Sequence, residues 1–106
     1  MIVDLVRVKL SAQRGLMMNS FPNLRAVCVN STENLLSIYF YIDGEISEED
    51  KESCECVLDD FFSDFSYLMD KGMEFETPFI RLDFPNRMPL IGHWVYYRKE
   101  NTAEYL

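Results

Sequence analysis

Carboxylates are the chemical groups this sequence offers in number, and they are crowded into one stretch. Thirteen of the eighteen acidic residues fall between Asp43 and Glu76, against two lysines, Lys51 and Lys71. That stretch carries −11, whereas the residues before it carry +2 and those after it +1. Carboxylates at such density can coordinate a hard metal ion, serve in pairs as acid and base of a hydrolase, or attract a cationic macromolecule. The metal reading meets no motif: a calcium loop needs acidic or amide residues at alternating positions, a central glycine and a closing glutamate, and Asp43-Gly44-Glu45 does not continue that way. No spacing singles out a hydrolytic pair. His93 is the only histidine, so no paired-histidine zinc site can be built. A nucleophilic Ser or Cys would need His93 and an orienting acid brought together by the fold, with no local motif behind it. There is no Gly-rich phosphate loop. The expectation is a protein that is not an enzyme and needs no cofactor, with a basic protein as its partner.

The elements that must position these groups read as α-β-β-α-β-β. Val3 to Leu16 suits an amphipathic helix with Val3, Val6, Leu10 and Ala12 apolar and an end near Gly15, although Ile2, Val3, Leu5, Val6 and Val8 would also satisfy a strand. Phe21-Pro22-Asn23 turns the chain into a β-branched run from Leu24 to Asn30. Ser31 to Asn34 then separates that run from Leu35–Ile42 as a hairpin loop would. In the second strand Leu36, Ile38, Phe40 and Ile42 alternate with Ser37, Tyr39 and Tyr41, giving a core face and an aromatic-polar face. Ser47-Glu48-Glu49-Asp50 has the form of a capping box opening a second helix. On that helix Cys54, Val57, Leu58, Phe61, Phe65 and Leu68 share one side, and Gly72 can close the helical turn that follows. Alternation resumes around 75–84 and 94–99, which predicts a second hairpin-like pair with Trp94 and Tyr96 on one face and Tyr97 on the other. The sum is an α+β fold, a mainly antiparallel four-stranded sheet with the helices on one face.

On the second helix the side opposite Phe61 and Phe65 holds Glu48, Glu49, Glu52, Glu55, Asp59 and Asp60. Such a face can be merely solvated. Two costs argue that it binds something. Glu48, Glu52, Glu55 and Asp59 follow one another at four, three and four residues, a spacing at which like charges cost a few tenths of a kcal/mol per pair. Asp59, Asp60 and Asp64 also lie toward the helix C-terminus, where the macrodipole disfavours anions. These six carboxylates are therefore the candidate partner-binding residues. Tyr39 and Tyr41 join them as aromatic anchors if the sheet face without helices is open, a role for which tyrosine is enriched.

With 106 residues, 48% of them hydrophobic, the chain reads as a single domain spanning 1–106, and such a domain buries roughly two thirds of its unfolded surface. Cys54 and Cys56, two apart on a helix, point to different sides and cannot share a bridge or a metal. Free thiols and the lack of an export leader predict a reduced, cytoplasmic setting. No apolar run approaches the roughly 20 residues of a membrane span, and the acidity opposes contact with anionic membranes or nucleic acid. Neither sheet edge, and so no oligomeric state, can be identified.

Three segments taken together resemble a known group. Asn23-Leu24-Arg25-Ala26-Val27, Phe40-Tyr41-Ile42-Asp43-Gly44-Glu45-Ile46-Ser47-Glu48-Glu49-Asp50 and Ile80-Arg81-Leu82-Asp83-Phe84-Pro85 are similar in order and spacing to small bacterial proteins that include immunity proteins of contact-dependent growth-inhibition systems. The resemblance covers roughly residues 20 to 100 and rests on structural punctuation. It implies a cytoplasmic antidote that binds the C-terminal toxin domain of its own system, commonly a nuclease, and blocks its active site or substrate surface. Two other readings stay open: an acidic adaptor or nucleic-acid mimic that sequesters a basic protein, and a small carboxylate-dependent hydrolase.

Overall fold

The first segment settles as a helix, but its inward face differs from the expectation. In the computed structural model, which describes residues 2–89 and 91–106, α1 spans Leu5–Leu16, and the Asp4 carboxylate accepts from the Val6 amide at 2.9 Å as its N-cap. Val8, Ser11, Ala12, Gly15 and Leu16 are buried, while Val6 and Leu10 face outward. Gly15 lies inside the helix instead of ending it. A Cβ there would stand 3.0 Å from the carbonyl oxygen of Val57, so the missing side chain is what lets the two helices approach closely.

The hairpin forms as expected. β1, Leu24–Ser31, runs antiparallel to β2, Leu35–Ile42. Leu36, Ile38, Phe40 and Ile42 are fully buried against the helices. α2 spans Glu48–Phe65, and Ser47 Oγ accepts from the Asp50 amide at 3.1 Å. Its buried residues, Cys54, Val57, Leu58, Phe61 and Phe65, are those the spacing predicts. A 3₁₀ turn over Ser66–Lys71 follows and ends at Gly72, whose φ of 84° is left-handed. That conformation is open to glycine at no steric cost.

The last third departs from the prediction. Instead of a second hairpin, β3 (Glu74–Glu76) and β4 (Phe79–Arg81) both pair with β2 in parallel, at Leu35 to Ser37 and at Phe40 to Ile42 respectively. The sheet is therefore mixed and five-stranded, with β2 and β1 at its centre and β5 (His93–Tyr97) antiparallel on the far side of β1. The α+β class, the position of the helices and the predominance of antiparallel pairing stand, while the short β3 and β4 add the parallel part and bring the strand number to five. α2 is long enough to carry the chain back along β2, which makes its return strand parallel. Pro78 lacks an N–H and interrupts that strand, yet its carbonyl still accepts from the Phe40 amide at 3.1 Å.

An irregularity in register between Val27 and Cys28 corrects the aromatic assignment as well. Cys28 pairs with Trp94 and Val27 with Tyr96, so Val95 is the extra residue of a bulge. Tyr96 consequently turns to the helix side, whereas Trp94 and Tyr97 share the other face with ring centroids 5.5 Å apart.

Candidate partner-binding surface

The acidic candidates lie where helical geometry puts them. Glu48, Glu49, Glu52, Glu55, Asp59 and Asp60 are all exposed on α2. Glu48, Glu52, Glu55 and Asp59 form one stripe. Glu49 and Asp60, eleven residues apart, fall on a second stripe that leads to Asp64 and α1. Lys51 reaches Glu48 at 3.5 Å, and with the glutamate side chain 88% exposed that pair is weak. Among the described residues the other five form no ion pair. Asp64 is different: it accepts from Ser11 Oγ at 2.6 Å and pairs with Arg14, and so ties α2 to α1. The surface is a field of negative charge, five of its six carboxylates without an ion pair among the described residues, carried on a helix that Ser47 caps at its N-terminus.

The aromatic candidates are not brought to it. Tyr39 and Tyr41 stand on the opposite face of the sheet, beneath the segment that carries Ile80, Leu82 and Met88. That face is covered instead of open. Tyr41 is 2% exposed, and burial, helped by the neighbouring Cys28, pushes its hydroxyl up to about 12. Its ring is core. Tyr39 is half-buried and donates to Glu76 at 2.8 Å. Small residues in β1, Ala26 and Cys28, leave room for these rings and for Trp94. Cys28 and Cys54 are buried, which raises their thiols to about 11 and about 12 and keeps them protonated. Among the described residues no group of three or more His, Cys, Asp or Glu side chains converges as a metal site would.

A second charged cluster was not foreseen. Arg25, near the start of β1, is fully buried, and Glu100 meets its guanidinium through Nε and Nη2, both at 2.9 Å. Nη1 donates to the Leu82 carbonyl at 2.8 Å. Arg98 adds two donors to Glu100 and reaches Asp43 at 3.2 Å, and Tyr105 donates to Glu100 at 2.6 Å. The rings of Phe84 and Tyr105 lie about 5.7 and 5.8 Å from the guanidinium. Burial opposes ionisation of Glu100, but the donors from Arg25, Tyr105 and Arg98 prevail and hold its carboxyl down to about 2. This satisfied, enclosed network fastens residues 98–105 onto the sheet. The sequence offered one signal for it: an arginine inside an otherwise apolar strand must find a buried partner.

The class to which this chain belongs is that of toxin immunity proteins. Residues 6–100 match the family model described as MafI2 immunity protein, and the chain belongs to that family. A comparison with curated proteins gives no match. Membership bears out the resemblance read from the sequence at the level of the class, with a toxin-neutralising role and a cognate toxin protein as partner. Among the described residues no helix is long and apolar enough to cross a membrane.

Proposed function

We propose that this chain, acting as one domain in the cytoplasm, neutralises its toxin by binding and not by catalysis. In this reading the toxin is a basic nuclease domain delivered by cell contact, met by the acidic face of α2. The observation that carries the proposal is the uncompensated set Glu49, Glu52, Glu55, Asp59 and Asp60 on a family member whose partner is a toxin. A nuclease must present cations to phosphates, and carboxylates at the spacing of a helix surface compete for those cations. Exposed charges of one sign also accelerate encounter, an effect that salt screens over about 8–10 Å. Tyr41 has no part in this surface, and Tyr39 lies away from it.

The test is the association rate with the cognate toxin domain, for the wild type and for Glu48→Gln/Glu52→Gln/Glu55→Gln/Asp59→Asn. Association should slow by roughly tenfold or more at low salt, and its dependence on salt should flatten. An unchanged rate would remove α2 from the interface. The nuclease assignment stands on its own experiment: purified toxin should cut DNA or RNA, and an equimolar amount of this chain should stop it.

A further inference from the structure

α1 carries two apolar faces, and the core uses one of them. Val8, Ala12 and Leu16 turn inward. Val6, Leu10 and Met17, four and seven residues apart, lie together on the outer side with 61, 59 and 71% of their surface exposed. Scattered exposed apolar residues are ordinary, whereas three aligned on one side of a helix, here with Gln13 and Arg14 between the second and third, make a surface on which a partner can lie. The stripe ends at Met18, which is fully exposed and held at a φ of 67°. A residue with a side chain occupies that left-handed conformation only at a cost. Beside the stripe, between the two helices, a cleft of about 260 Å³ is lined by Arg7, Leu10, Ser11, Arg14, Asp64 and Phe65. Ser11 and Arg14 already occupy Asp64. Arg7 lies over the Phe65 ring at 5.8 Å and forms no ion pair among the described residues, so the cleft offers an aromatic wall and an uncommitted cation.

We propose that the outer face of α1 is the apolar half of the toxin-binding surface: an apolar segment of the toxin lies along Val6, Leu10 and Met17, and a carboxylate of that segment enters the cleft to meet Arg7. This rests on the immunity reading and goes beyond it in assigning the partner's chemistry at a second helix. Charge identifies the occupant. With Arg14 held by Asp64, Arg7 and Lys9 form no ion pair among the described residues and leave two uncommitted cations beside the stripe in a chain whose net charge is −8, while α2 alongside is anionic. A second copy would bring another −8 to the same place, which opposes self-pairing. A toxin with a cationic patch next to an apolar, acid-bearing segment satisfies both helices in one orientation. The division of labour is that of well-formed interfaces, with apolar anchors supplying affinity and charged residues supplying rate and specificity.

Calorimetric titration of the cognate toxin domain into the wild type, Leu10→Asp and Arg7→Ala tests this, with thermal melting of each variant and sedimentation of the free chain. Leu10→Asp should weaken binding by about 30-fold or more and Arg7→Ala by about tenfold, with melting unchanged because neither side chain is buried. If Leu10→Asp melts early, Met17→Asp gives the same reading at the far end of the stripe. Wild-type binding that neither α1 position affects overturns the proposal and leaves the immunity reading in place. A wild type that fails to bind overturns both. A dimer of the free chain that Leu10→Asp abolishes assigns the stripe to a second copy and likewise overturns it.

Discussion

Replacing Glu100 by glutamine should cost this fold a large part of its stability without changing a surface residue. The Arg25 side chain is fully buried and that of Glu100 is 2% exposed, so their pair is not the surface kind, whose worth is about 0–1 kcal/mol. Removing one member of a buried pair leaves the other charge without compensation and costs about 3–5 kcal/mol. The lower end applies here, because Arg25 keeps the Leu82 carbonyl and Arg98 keeps Asp43. Against a total of about 5–15 kcal/mol for a domain, that is a fifth to more than half. At roughly 4 °C per kcal/mol for this size, the melting temperature should fall by about 12 °C. Urea denaturation at pH 7 should show the loss as a lower midpoint with an unchanged slope. Arg25→Met/Glu100→Leu, which removes both charges, should recover most of it. A loss below about 1 kcal/mol for Glu100→Gln would refute the reasoning. The pH profile gives a second reading of the same group. Because the folded carboxyl lies near 2 and the ordinary value is 4.5, its contribution is complete above about pH 4.5 and is lost as the pH falls toward 2. The wild type should lose stability through that window, and the variant should lose less.

Other perturbations follow from the same contacts. Gly15→Val should lower stability by about 1–3 kcal/mol in denaturant titration, since any Cβ meets the Val57 backbone and the helices must separate. Ser47→Ala removes the acceptor for the Asp50 amide and should cost about 1 kcal/mol, read as a lower melting temperature. Met18→Gly relieves a left-handed non-glycine residue and should stabilise the free chain by about 1 kcal/mol. Asp59→Lys should raise helix stability slightly by breaking a run of like charges, yet slow toxin association, so the two assays should move in opposite directions.

What was legible in the sequence was whatever a local period encodes. β2 and the buried side of α2 follow from alternation at two and recurrence at three and four, and both lie where those patterns place them. α1 was ambiguous because its inner and outer sides are both apolar. The choice of Val6 and Leu10 over Val8 and Leu16 as core cannot be made without knowing where α2 packs. β3 and β4 were misjudged as half of a hairpin because parallel pairing is dictated by the crossover through α2, which leaves no mark on the strands themselves. The bulge opposite Val27 and Cys28 reversed Tyr96 and Tyr97 for a similar reason: one extra residue in a short strand is not visible in its composition. Of the candidate site, the six carboxylates were legible as exposed because helix position alone determines that. Tyr41 was not, since the cover over its face comes from Met88, distant in the chain. The partnership of Arg25 and Glu100 spans 75 residues and is set by the fold as a whole.

The order in which the chain is made gives that partnership a further meaning. A nascent chain that has reached Tyr97 contains both α-helices and all five described strands, yet Arg25 still lacks its carboxylate and the Tyr105 hydroxyl that braces it. There the buried guanidinium keeps only the Leu82 carbonyl, and the sheet closes over it at a penalty that the Glu100 carboxylate removes. Residues 98–105 thus fasten a strand whose arginine lies 75 residues before Glu100, and a chain cut back to Tyr97 should melt lower and be cut faster by protease than the whole.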